Sequence, residues 1–228
     1  MGSWWLVLVL SLAVERPSPK TIRELEAQGR PDAAQRLADI LVHEEPTSAV
    51  ARLEAGRLRI QRGEELGRAE LDLMAALALA PELPRAHYLY GLLMEAQRRD
   101  DEAQNAYRLA LIYRPGYDDA RLRLASLHFA NAQWQEAEAH YRELSRRQPG
   151  EHLPRLQLAA TLERQGQHDE AENILRALWE GDPRSIAAGR RLLALYEATG
   201  QADKAKRLRR SLEEPPQKQM RPLKPSRR

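Results

Sequence analysis

The sequence predicts an all-α solenoid of about six helix-turn-helix units, and three observations carry that prediction. Prolines recur at Pro46, Pro81, Pro115, Pro149 and Pro183, with separations of 35, 34, 34 and 34. Alanines recur at Ala34, Ala69, Ala103, Ala137, Ala171 and Ala205, separated by 35, 34, 34, 34 and 34. Two unrelated residue types thus share one period and one slip, the mark of stacked supersecondary units. Composition is the third observation. Alanine, leucine, arginine and glutamate dominate a chain with a single Phe, and all four are good helix formers.

Taking the proline as position 32 divides the chain into units 15–48, 49–83, 84–117, 118–151, 152–185 and 186–214. Within a unit two apolar stripes run at the helical period. In the fourth they are Leu124, Leu127 and His128 on a first helix, then Ala137, Tyr141 and Leu144 on a second. Short polar segments separate them, such as Gln28-Gly29-Arg30, Arg98-Arg99-Asp100 and Gln165-Gly166-Gln167. Connections this short make the two helices antiparallel. The proline then closes each second helix, since it lacks an N–H and biases its predecessor away from helical geometry.

Small residues at position 8 (Gly56, Gly91, Ala125, Ala159) and position 20 (the alanine ladder) let the paired helices approach closely. The first unit is degenerate, its leading helix shortened by Pro17 and Pro19. A one-residue insertion in the Gly63–Gly67 turn accounts for the single spacing of 35. The last helix, 202–212, reads as a cap: Ala205, Leu208 and Leu212 face inward, and Arg209 stands at position 24 where Leu73, Tyr107, Tyr141 and Leu175 stand earlier. Solenoids need such polar ends to stay soluble.

The third unit reads His87-x2-Tyr90-Gly91-x2-Met94, then Ala103-x3-Tyr107, then Pro115. This resembles the tetratricopeptide-repeat (TPR) signature, departing from it with His87 where the family favours Trp and Tyr90 where it favours Leu. The resemblance runs over 15–214 and marks Ala34, Gly56, Ala69, Gly91, Ala103, Tyr107, Ala125, Ala137, Tyr141, Ala159, Ala171 and Ala205 as structural repeat positions. It implies a right-handed superhelix and a non-enzymatic scaffold whose concave groove takes a helix or peptide of a protein partner. In the family that groove is lined by first-helix positions 2, 5, 9 and 12. Here the resemblance implies Leu53, Arg57, Arg85, Tyr88, Leu92, Leu122, Ser126, Phe129, Leu153, Leu156 and Arg190. Arg123 joins them as the one match to the basic and amide set with which related domains clamp chaperone tails; a lone match argues against that clamp.

Catalytic patterns are missing from the sequence. Without cysteine there is no thiol chemistry, thiolate metal site or disulfide. The glycines at 29, 166 and 200 are isolated turns, not a phosphate loop. The six histidines never fall as His-x3-His, so no metal or cofactor is expected. Glu102, Glu136 and Glu170 recur at position 19, which marks them as repeat architecture near a helix start.

Both ends of the chain carry further expectations. Residues 1–14 contain the apolar run Trp4–Val14, broken by Ser11. A spanning helix needs about 20 residues, so the run fits a secretory signal or anchor, or an apolar leader folded on the first helices. The location follows that choice, cytoplasmic or cell envelope. An envelope location opens the alternative of an assembly factor of the pilus, secretion or cytochrome-biogenesis type. Only five of the 36 basic residues are Lys, a composition that reads as bacterial. Residues 203–228 hold ten Lys/Arg against three Asp/Glu, leaving the rest of the +3 chain acidic. The segment 215–228 reads as a disordered basic tail. A third alternative is therefore anionic-ligand binding at the C-terminal end, with nucleic acid ranked below a protein partner.

Overall fold

The computed structural model describes residues 17–182 and 185–213. The apolar segment 1–14, Pro183 and the basic segment 215–228 lie outside the described residues. Twelve α-helices and no strand occur among the described residues. They form an N-terminal compact unit ending at Pro115 and a C-terminal one starting at Gly116.

The N-terminal unit holds α1 (Pro19–Ala27), α2 (Pro31–Glu44), α3 (Ala49–Arg62), α4 (Leu66–Leu79), α5 (Pro84–Ala96) and α6 (Asp100–Tyr113). The C-terminal unit holds α7 (Asp118–Ala130), α8 (Trp134–Arg147), α9 (His152–Arg164), α10 (His168–Gly181), α11 (Ile186–Ala198) and α12 (Ala202–Glu213). Within each unit successive helices pack on one another, the pattern of an all-α solenoid of repeats.

Local chemistry sets the helix ends. Ser18 and Thr21 form a reciprocal capping box at α1, and proline opens α1, α2 and α5, where a missing N–H costs nothing. The nine-residue α1 is the short helix expected from Pro17 and Pro19. Asp100, Asp101 and Glu102 occupy the first turn of α6, and Arg146 and Arg147 the last turn of α8, each opposing the local helix dipole. Pro46, Pro81, Pro115 and Pro149 each stand directly after a C-cap residue, so none removes a helical hydrogen bond.

Each intra-repeat turn closes with a left-handed residue: Gly29, Gly63, Arg98, Ala132, Gly166 and Gly200. The following N–H bonds back across the turn, as in Gln133 N–H to the His128 carbonyl at 2.9 Å, a Schellman closure. The extra residue of the second unit falls just after Gly63, where Glu65 (φ 49°) forms a second left-handed residue and caps α4. Ala132 takes φ 58° with a Cβ that crowds the following carbonyl. Ala132→Gly is expected to raise stability by about 0.5–1 kcal/mol, the released strain exceeding the added unfolded-state entropy. Chemical denaturation measures the gain; a loss of stability would show that the turn is unstrained.

The position-20 alanines are fully buried except Ala205 at 5%. One turn further along the same helices, Leu73, Tyr107, Tyr141 and Leu175 are buried, and the first two abut Gly56 and Gly91 of the paired helix. Tyr141 reaches Ser126 Oγ at 3.2 Å, and Tyr107 donates to Glu95 Oε2 at 2.7 Å. Both rings therefore bury their area while keeping a partner for the hydroxyl. In the C-terminal unit one core joins Ala125, Ala137, Tyr141, Leu144, Leu158, Ala159, Leu175, Leu195 and Leu208. On α12, Ala205 and Leu208 are buried while Lys206, Arg207, Arg209 and Arg210 are exposed, as a cap requires.

Candidate functional site

The first helix of each repeat carries the candidate binding residues. In the N-terminal unit the structure corrects two of them. Leu53 is only 3% exposed and belongs to the interior. Arg57 is likewise buried, because carboxylates from two helices saturate it. Its Nε donates to Glu54 Oε2 at 2.7 Å, and its two terminal nitrogens donate to Glu26 Oε1 and Oε2 at 2.9 and 2.6 Å. The other Glu54 oxygen accepts from Arg85 at 3.1 Å. A ladder Glu26–Arg57–Glu54–Arg85 thus crosses α1, α3 and α5. Burial disfavours the charged guanidinium of Arg57, but the bonds from Glu26 and Glu54 outweigh it and hold the group above the usual arginine range.

Tyr88 lies half-buried with its ring 5.9 Å from that of Tyr107, and Leu92 is also half-buried. Over α1, α3 and α5 the first-helix face is thus a neutralised ion-pair seam. Glu26 and Glu54 were not among the candidates. Their signal was present in the sequence: each acid lies 31 residues before its arginine.

The C-terminal unit differs. Leu122, Phe129 and Leu156 are partly buried, resting on the core cluster from outside. Leu153 at the start of α9 is 49% exposed. Ser126, Arg123 and Arg190 are exposed, and Ser126 Oγ donates to the Leu122 carbonyl at 2.9 Å within its own helix. The spacings Leu122/Ser126/Phe129 and Leu153/Leu156 place these residues on one face of α7 and one face of α9. Phe129 meets Trp134 edge-on at 5.1 Å, and the Arg164 guanidinium lies 5.9 Å above the Trp134 ring. Phe129 is thereby fixed in direction. Arg191 pairs with Glu163 at 2.9 Å.

The end of this unit is also tied by charge. Glu172 accepts from Lys204 and Arg176, both at 2.9 Å, and from Gln201 at 3.3 Å. Burial alone would raise its carboxyl, but these donors hold it below the usual carboxylate range. His128 is a packing residue: it is buried, stacks on His140 at 5.6 Å and bonds Gln133 through Nδ1. Among the described residues no three His, Asp or Glu side chains group as metal ligands, and no helix is long and apolar enough to cross a membrane.

Comparison with known proteins bears on this arrangement directly. Models of the tetratricopeptide repeat match residues 101–162 and 162–221, more than half of the chain. The chain belongs to the tetratricopeptide-repeat family. Solved TPR structures share its fold. YrrB, described as a TPR protein with an unusual peptide-binding site, is 20% identical over 77% of this chain and 90% of its own, with a TM-score of 0.68. A TPR protein from Parabacteroides merdae is 19% identical over 86% of this chain and 78% of its own, with a TM-score of 0.69. MamA is 19% identical over 72% of this chain and 95% of its own, with a TM-score of 0.65. No curated protein matches the sequence. The TPR assignment makes the chain a protein-interaction scaffold in general terms, since stacked helix pairs present extended binding surfaces.

Proposed function

We propose that this TPR protein is a non-enzymatic scaffold that holds a helix or extended segment of a protein partner on the first-helix face of its C-terminal unit. The observation that carries the reading is the unused apolar surface of α7 and α9. Leu153 is half-exposed, and Leu122, Phe129 and Leu156 show an edge while resting on a core that is complete beneath them. An apolar strip with exposed Arg123 and Arg190 nearby is the composition of a peptide-binding groove. The peptide-binding site described for YrrB supports the same reading.

The N-terminal unit is assigned a smaller share of binding, because Arg57 is committed to Glu26 and Glu54 and Arg85 shares Glu54. Leu153→Glu together with Arg190→Glu changes two exposed side chains beside the strip. The pair is expected to abolish partner capture in affinity purification from the native cell while leaving the melting curve in place. Capture that survives both changes would remove this face from the function.

A further inference from the structure

The second helices of the repeats change character between the two units. In the N-terminal unit α4 exposes Leu71 (68%), Met74 (53%) and Leu79 (44%), and α6 exposes Leu109 (39%), Ile112 (69%) and Tyr113 (44%). At the positions matching Leu109, Ile112 and Tyr113, the C-terminal unit has Glu143, Arg146 and Arg147 on α8. The repeat fold therefore does not require apolar residues there; this unit carries them for another reason.

We propose that this outer face of α4 and α6 is the contact between two copies of the chain. Area is the first argument. The six side chains leave on the order of 600 Å² of apolar surface uncovered, at the upper end of what monomers show. A standard interface takes about 800 Å² from each partner, a little over half of it apolar, or roughly 450 Å². The face therefore supplies enough for a stable dimer.

Charge is the second argument. Leu73–Pro81 and Leu109–Tyr113 contain no charged residue. Beside them, Asp72 is paired with both Arg52 and Arg59, and Arg68 with Glu65. A two-fold contact sets a patch against itself, so any net charge repels its own copy. Arg108, one turn before Ile112, bonds the neutral Asn105 and Gln104, so the face carries a guanidinium at its border and otherwise little charge by which to select a basic or acidic partner.

Sedimentation equilibrium over a hundredfold range of concentration tests the proposal on the full chain. The expected result is a concentration-dependent shift from one chain mass to two. Leu71→Glu combined with Ile112→Glu should weaken self-association at least tenfold. Both side chains are more than two-thirds exposed, so the melting curve of the dilute, monomeric chain should not move, and any difference at high concentration should track the lost dimer. A wild-type chain that stays monomeric throughout, or a dimer unaffected by the pair of substitutions, overturns the proposal. So does a dimer dissociated by Leu153→Glu, which would place the contact on the first-helix face instead.

Discussion

Gly91→Ala is expected to destabilise the protein by about 2 kcal/mol, at the level of a core overpacking error rather than a helix-favouring gain. On helix propensity alone the substitution would stabilise by about 1 kcal/mol. Packing reverses the sign. A Cβ at residue 91 would stand 2.5 Å from Tyr107 Cε1 and 2.7 Å from Cδ1. Tyr107 is fully buried, and its hydroxyl is tied to Glu95, so the ring retreats only by giving up that bond. The fourth repeat shows that an alanine–tyrosine pair is compatible with the fold, since Ala125 and Tyr141 occupy the same positions there and the Tyr141 hydroxyl meets Ser126 instead. Two further variants separate the causes. Gly56→Ala, whose Cβ would meet Leu73 Cγ at 3.0 Å, is expected to cost less, because the approach is less close and Leu73 has no hydrogen bond to give up. Gly91→Ala with Tyr107→Leu should recover part of the loss. Denaturant melts read all three, and a Gly91→Ala protein as stable as wild type would refute the packing of α5 on α6.

Arg57→Ala carries the largest expected effect, about 3–5 kcal/mol, the cost of breaking a buried ion pair from one side. Glu54 is 1% exposed, and removal of the guanidinium leaves its carboxylate with Arg85 alone. Glu26 loses both of its bonds to Arg57 at once. Arg62→Ala is the control. Its partners Asp32 and Glu64 are 68% and 60% exposed, and solvent screening leaves such exposed pairs little to contribute. Replacing the pair with Arg57→Leu and Glu54→Leu should restore much of the loss, because the buried charge is then absent and not stranded. Urea unfolding checks the series. Equal, small losses for Arg57→Ala and Arg62→Ala would contradict the burial of the seam.

Much of this architecture was legible in the sequence because the repeat enforces it locally. The spacing of Ala34 through Ala205 places one small residue at each helix crossing, and the prolines mark where each second helix stops. Both features depend on near neighbours in the chain, so period and composition suffice to read them. The left-handed turn residues were legible at Gly29, Gly166 and Gly200 but not at Arg98 and Ala132, where the turn closure overrides side-chain preference.

The candidate site was legible only in part. Leu53 and Arg57 stand at positions that line a groove in related proteins, yet here they are enclosed. Whether an arginine at such a position is free depends on what the preceding repeat sets opposite it. Glu26, 31 residues upstream, decides the fate of Arg57, and a pattern read within one repeat does not contain that pairing. The apolar outer face of α4 and α6 was hidden for the opposite reason. Its leucines and isoleucine satisfy the helical period as well as core residues do, and only their exposure in the folded chain separates the two.

The central claim is that the first-helix face of α7 and α9 holds a protein partner. Paired affinity purification from the native cell tests it, with wild-type protein against the Leu153→Glu, Arg190→Glu variant and with quantitative comparison of co-purified proteins. At least one partner should be retained by wild type and by Leu71→Glu but lost from the groove variant. An unchanged set of partners on the groove variant would contradict it.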